Sequence, residues 1–258
     1  SSVKNISAAF PLFAGQRQTH AAIAQSRLLR NESLYCGLAT HAMDFRLSSG
    51  RRVLRARINS NARNRSEAVP GTNLTRSEAA QRSATVATKS YDVHLDLTRG
   101  DATFGCRTIV RFDAVPGSAT FLDLIAPAVH SVRLNDIDLD PSEVFVDSRI
   151  HLDQLEASNV VEVVAECAYM TTGEGLHRFV DPVDGEVYLY TQFEVADARR
   201  VYPVFEQPDL KASFKLNVIA PPHWTVVSNS PTPEPVDDGE AATWSFDPTP
   251  RLPSYILR

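Results

Sequence analysis

The sequence predicts an all-β protein: an antiparallel multi-sheet or sandwich-like domain of two packed or curved sheets, preceded by a largely disordered segment. Three observations predict it. From about residue 91 onward, apolar residues recur at every second position over short runs, the period of a strand with one buried and one wet face. Turn-forming Gly, Asn, Asp and Pro separate those runs. About ten such runs follow one another, with a single short helix-like interruption after Glu194.

The elements read in order as follows. Residues 1–68 stand apart. They are rich in Arg and Ser and poor in acids, with one lysine, Lys4, and no sustained period. Residues 1–70 hold 11 Lys/Arg against 3 acids, whereas 71–258 hold 15 against 28. Three readings fit the basic piece: a disordered arm, a transit-type leader, or upstream sequence translated from a misplaced start. The abrupt change near Val69 favours the last, so the domain is expected to cover 69–258. "NLTRSEAAQRS" then reads as a short helix. Thr75 is its N-cap, and Glu78, three residues later, completes a capping box.

Strands follow. Tyr91, Val93, Leu95 and Leu97 alternate with polar residues, and Arg99-Gly100-Asp101 turns the chain. Cys106, Thr108, Val110 and Phe112 alternate in turn. "SATFLDLI" and "AVHSVRLNDIDL" make two more strands, with Asn135-Asp136 as turn residues. "SRIHLDQL" comes next. In "SNVVEVVAECAYM", Val161, Val163, Ala165 and Cys167 face one way, and Glu162, Val164 and Glu166 the other. "GEVYLYTQF", "KASFKLNVIAP", "TVVSN" and "ATWSFD" complete the set, with Trp224 and Trp244 expected as core aromatics on strands. "NSPTPEPVDDGEA" is a polar, proline-rich loop.

Composition narrows the function classes. Hydrophobic residues make up 43% and charged residues 22% of 258, as in ordinary globular domains. The acidic balance after residue 70 argues against nucleic-acid binding, which needs a basic face. No run approaches the 18 apolar residues of a membrane-spanning helix, so no membrane partner is expected, and with 1–68 set aside the expected location is the cytoplasm. The three cysteines, Cys36, Cys106 and Cys167, form no Cys-x-x-Cys pair, which excludes a zinc ribbon. Cys106 and Cys167 read as small buried hydrophobes. No two of the seven histidines lie four apart, and there is no Gly-x-Ser-x-Gly elbow or phosphate-cradling glycine loop.

One place remains that could carry chemistry. "VYLYTQFE" is an apolar strand that ends in Gln192 and Glu194. Two residues apart on a strand, both side chains point to one face, and Phe193 between them points into the core. A carbonyl oxygen beside a carboxylate forms an acceptor-rich patch suited to a cation with several donors, such as a peptide's terminal ammonium. A competing reading is structural: Glu194 pairs with Arg199 or Arg200, and Gln192 caps the turn that follows. Arg199 and Arg200 read as braces of this loop, with Asp197 or Glu206 as partners.

The longer stretch "VYLYTQFEVADARRVYPVFEQPDLKASFKLNV", residues 187–218, resembles the end of the N-terminal domain in the aminopeptidase N family of zinc aminopeptidases. The matching features are Thr191-Gln192-Phe193-Glu194, Ala198-Arg199-Arg200, Tyr202-Pro203, Phe205-Glu206-Gln207-Pro208 and Lys211-Ala212-Ser213-Phe214. "GLHRFVDPVDGEVYLYTQFE" and "PGTNLTRSEAAQRS" are similar to bacterial members, and the likeness covers about 70–258. It implies a saddle-shaped β domain joined to a zinc-bearing catalytic domain. It also implies that Gln192 and Glu194 help bind the substrate's free α-amino group. The usual Phe-Asp-Glu-Pro is Phe205-Glu206-Gln207-Pro208 here, a change in a turn. The family's His-Glu-x-x-His zinc helix is absent from the sequence, so zinc ligands and catalytic residues are expected to lie in a catalytic domain beyond this fragment. The partners expected are that domain and a peptide N-terminus, and the fragment alone is expected to be inactive. The rival expectation is a free-standing β-sandwich binding module.

Overall fold

The computed structural model describes residues 73–258, which lie within one compact unit of the chain. The expectations placed on 1–68 therefore fall outside the described residues. The elements, in order, are α1 (Arg76–Thr85), β1 (Val86–Asp96), β2 (Thr103–Ala114), β3 (Thr120–Asp123), β4 (Ala128–Leu134), β5 (Ile137–Leu139), α2 (Pro141–Val144), β6 (Phe145–Val146), β7 (Arg149–Leu152), β8 (Ser158–Ala168), β9 (Gly175–Val180), β10 (Val187–Gln192), β11 (Ser213–Ala220), β12 (Val236–Asp237) and β13 (Ala242–Ser245). A 3-10 turn, Ala198–Arg200, falls where the helix-like interruption was expected. The domain is all-β and built of several sheets.

The alternating runs form the large sheet, with strand order β12-β13-β11-β1-β2-β8-β4-β5. Its pairs are antiparallel except β1 with β11. Burial follows the period. Val161, Val163, Ala165 and Cys167 of β8 are fully buried, as are Val93 of β1 and Phe104, Val110 and Phe112 of β2. Leu122 of β3 and Ile150 and Leu152 of β7 join the same core from a second, three-stranded sheet, β3-β7-β6. Cys106 and Cys167 are buried free thiols, as expected.

Turns sit where their residues permit positive φ. Asn135 (φ 48) and Asp136 (φ 67) join β4 to β5, and Asp147 (φ 54) and Ser148 (φ 61) join β6 to β7. Two successive left-handed residues match the right-handed twist of the flanking strands. The side chain of Asn135 stiffens its turn by accepting from Val160 N–H and donating to Asn159 Oδ1.

Helix α1 has the anticipated capping box. Thr75 Oγ1 accepts from Glu78 N–H at 3.2 Å, and Glu78 Oε2 accepts from Thr75 N–H at 2.8 Å. The helix docks through a buried ion pair, Arg82 Nη2 to Asp123 Oδ2 at 3.1 Å. The Arg82 guanidinium also lies over the rings of Phe121 and Phe205.

Two strand expectations fail. "TVVSN" forms no strand, and Trp224 is half-buried beside it in a loop. Pro221, Pro222 and Pro231 flank this stretch, and a proline has no N–H to offer a ladder. Trp244 does lie in β13 and is buried. Conversely, "GLHRFV" becomes β9, which pairs with β10 into a separate two-stranded sheet.

Candidate functional site

The hairpin β9–β10 carries the site at its end. The pairing runs from Val180–Val187 at the turn to Gly175–Gln192 at the open end. No position of β10 is fully buried: Tyr188, Tyr190 and Gln192 are exposed, and Val187, Leu189 and Thr191 are half-buried. The ladder ends at Gln192, so Glu194 lies just past the strand rather than within it. The alternation nevertheless continues. Phe193 is buried, and Glu194 is exposed again.

Phe193 fastens this end of the hairpin to the core. Its ring meets Tyr202 edge-on at 5.9 Å, and Tyr202 meets Tyr91 and Phe214 edge-on at 6.2 Å each. Tyr91 and Phe214 stack at 4.8 Å across the β1–β11 pair. Edge-to-face and offset ring pairs are favourable beyond the area they bury. An aromatic chain thus joins the site to the middle of the large sheet. Burial pushes the Tyr202 hydroxyl well above its ordinary value, and that hydroxyl donates to Ser254 C=O at 3.2 Å. It is a structural tyrosine.

The arginines after Glu194 are committed elsewhere. Arg199 is buried. Its N–H donates to Glu206 Oε2 at 2.9 Å, and its guanidinium reaches Asn73 Oδ1 at 2.8 Å. Arg200 pairs with Asp197 at 2.7 Å and with Glu174 at 3.0 Å. Arg200 thus braces the loop through Asp197, a partner expected for it, whereas Arg199 meets Glu206 through its backbone N–H. Among the described residues neither Gln192 nor Glu194 has a side-chain hydrogen bond or ion pair, and the 3-10 turn has no side-chain cap. The competing structural reading of the pair therefore finds no contact to rest on.

Gln192 also borders a concavity of about 350 Å³ lined by Tyr190, Phe193, Tyr255 and Leu257, among others. Tyr190 stacks on His177, its cross-strand partner, at 4.7 Å. His177 Nδ1 in turn accepts from Gly173 N–H at 3.0 Å. Sequence reading missed this stack, because the strand bearing His177 does not alternate clearly. The Asp184-Gly185 turn signal, four to five residues past Val180 and just before Val187, could have located it.

The Phe205–Pro208 turn is structural. Glu206 and Gln207 are both buried. Burial raises the Glu206 carboxyl above its ordinary value, although the Arg199 N–H and the Ser254 hydroxyl favour its charged form. Gln207 Nε2 donates to Ala79 C=O and to Ser83 Oγ, which ties the turn to α1. A glutamine serves here because both of its partners can accept.

No three His, Cys, Asp or Glu side chains among the described residues converge where a metal could sit. The described residues therefore do not fit a zinc site. No described helix is long and apolar enough to cross a membrane.

These features define an all-β domain of several sheets whose β9–β10 hairpin ends in two exposed side chains, Gln192 and Glu194. The chain belongs to the peptidase M1 family, whose N-terminal domain matches residues 87–256. It is 57% identical over 192 residues to the aminopeptidase N of Streptomyces lividans, covering 73% of this chain and 22% of that protein. It is 44% identical over 79 residues to the probable aminopeptidase 1 of Sulfurisphaera tokodaii, covering 31% and 10%. With the aminopeptidase N of Acetobacter pasteurianus it shares 46% over 70 residues, covering 27% and 20%. The chain thus spans about a fifth or less of the length of these relatives.

Proposed function

We propose that this domain, from about Val69 to Arg258, is the amine-anchoring part of a zinc-dependent aminopeptidase that removes N-terminal residues from peptides. The observation that carries this reading is the pair Gln192 and Glu194. Both side chains are exposed and unpartnered among the described residues, and buried Phe193 holds them in place. A peptide's terminal ammonium would donate one N–H hydrogen bond to the Glu194 carboxylate and another to the Gln192 carbonyl oxygen. An internal peptide bond offers an uncharged nitrogen with a single N–H donor, so the pair would select chain ends. Zinc, the bond-breaking step and the partner catalytic domain belong, on this reading, to the rest of the enzyme, and the domain alone hydrolyses nothing.

The test is a chimaera in which residues 70–258 replace the matching segment of the Streptomyces lividans protein. A charge-assisted hydrogen bond contributes about 1.5–3 kcal/mol, so Glu194→Ala should raise KM for an aminoacyl substrate roughly 10- to 100-fold. An N-acetylated substrate should be refractory to the parent and the variant alike. Unchanged kinetics in Glu194→Ala would overturn the anchor. An inactive but folded chimaera would favour the rival, a free-standing binding module.

A further inference from the structure

The segment that carries Glu194 begins and ends at one place. It leaves β10 at Gln192, whose register partner is Gly175 at the start of β9. It returns at Arg200, whose stem lies across the same glycine. A Cβ built on Gly175 would stand 2.8 Å from Arg200 Cβ and 3.2 Å from its Cδ, and φ there is +60°. The Arg200 guanidinium then bridges two carboxylates. Nε meets Asp197 Oδ1 at 2.7 Å on its own loop, and Nη2 meets Glu174 Oε2 at 3.0 Å on the approach to β9. Between the two tied ends, Phe193 is buried, and Glu194 and Val195 stand exposed.

We propose that Arg200, seated on Gly175, is the positioning residue for the amine anchor; this rests on the reading of Gln192 and Glu194 given above. Arg200 does two things. It closes the 193–199 loop onto the strand that faces Gln192, so Glu194 keeps a fixed offset from Gln192. It also gives Glu174 and Asp197, the two other acids tied to this loop, a shared cationic partner. An incoming ammonium then meets Glu194 as the one carboxylate of the three that is not already engaged by Arg200. Misplacing a substrate-holding group by about 1 Å can cost up to about 100-fold in rate, which makes the loop's closure consequential. Gly175 is required for the same reason: any side chain would push Arg200 off its seat.

Two measurements test this. In the 258-residue chain, hydrogen exchange at the amides of 199–201, which donate to Glu206 Oε2, Asp197 C=O and Ala198 C=O, should speed up about tenfold or more in Arg200→Met, because amides in poorly tied segments open readily. The amides of 176–191 and those of a Glu194→Ala control should be unchanged. In the chimaera, Arg200→Met should raise KM about tenfold while kcat falls less than about threefold, and Arg200→Lys should lie within about threefold of the parent, the scale of a partly retained ion pair. Gly175→Ala should be at least as severe as Arg200→Met. If Glu194→Ala impairs the chimaera but Arg200→Met alters neither KM nor exchange, the positioning role fails and the anchor stands. If Arg200→Lys is no better than Arg200→Met, the ion-pair tie fails. An indifferent Glu194→Ala overturns the anchor and the positioning role with it.

Discussion

The large sheet and the β9–β10 hairpin are both ladders of backbone hydrogen bonds, yet different forces hold them. In the large sheet, β8 buries every second side chain completely, its neighbour β2 does the same over much of its length, and β4 does so at Val132 and Leu134. Burying a Val, Leu or Phe side chain stabilises by about 1.5–3 kcal/mol, so burial fixes the middle of this sheet. The hairpin has no such face. Phe179, Tyr188 and Tyr190 are about half exposed and Val183 is 92% exposed. A two-stranded ribbon is marginal on its own, so this one depends on its anchors: Phe193 in the core, and Arg178 paired with Asp101. The function proposed for the domain lies in the region with the least burial. A group that must meet a ligand has to stay uncovered, and its position must then come from ties at its borders.

That contrast can be broken from either side. The largest expected effect is in the sheet. Phe112 is fully buried and packs edge-on against Phe205 at 5.2 Å. Phe112→Ala should cost about 3–5 kcal/mol in chemical denaturation, whereas Tyr188→Ala in the hairpin should stay within about 0.5 kcal/mol. Comparable losses at the two positions would refute the distinction. Phe193→Ala tests the joint between them. It removes one ring of the aromatic chain at the core boundary, so about 2–4 kcal/mol is expected, together with faster hydrogen exchange in β9 and β10.

A smaller effect depends on pH. Glu78 lies where α1 meets β7. Partial burial pushes its carboxyl up, but Arg149 Nη1, donating at 2.6 Å, and the N–H and hydroxyl of Thr75 outweigh that and hold it near 2, below the ordinary 4.5. A carboxylate with a lowered folded pKa stabilises above its unfolded value, and that contribution is lost as pH falls. The stability gap between the parent and Glu78→Gln should therefore be full above pH 4.5 and shrink steadily towards pH 2. Solvent screens this half-exposed pair, so the gap should be no more than about 1 kcal/mol. A gap that widens on acidification would contradict the sign.

The same contrast explains what could be read from the sequence. Strands with one buried face announce themselves: the alternation in "SNVVEVVAECAYM" gives β8 and its inward side chains without a structure. Helix α1 was legible because Thr75 and Glu78 are a local signal. Strand β9 was not, because its residues run from buried to exposed along its length instead of alternating. "TVVSN" misled in the opposite way: it has strand-forming residues, but prolines on both sides deny it a ladder. At the site, the shared face of Gln192 and Glu194 follows from their spacing, and the buried Phe193 follows from the same period. The tie from Arg200 to Glu174 does not, because it depends on the hairpin register that sets Gly175 opposite Gln192.

The smallest expected stability effect belongs to the residue on which the proposed function most depends. Glu194 is exposed and makes no hydrogen bond or ion pair among the described residues. Truncating it removes no packed surface and orphans no partner, so Glu194→Ala should leave the denaturation midpoint unchanged, within about 0.5 kcal/mol. Its loop also carries Asp197, and Glu174 lies beside the same Arg200, so removing one of three nearby carboxylates relieves repulsion and could only raise that midpoint slightly. Phe193 gives the opposite pattern, a large stability loss from a side chain that touches no ligand. If Glu194→Ala instead destabilised the domain by more than about 1 kcal/mol, the carboxylate would have a structural partner, and its role as a free acceptor for an ammonium would be wrong. An unchanged midpoint together with a lost response to the amine would put a folding role and a binding role on adjacent residues, separated by the alternation that turns Phe193 inward and Glu194 out.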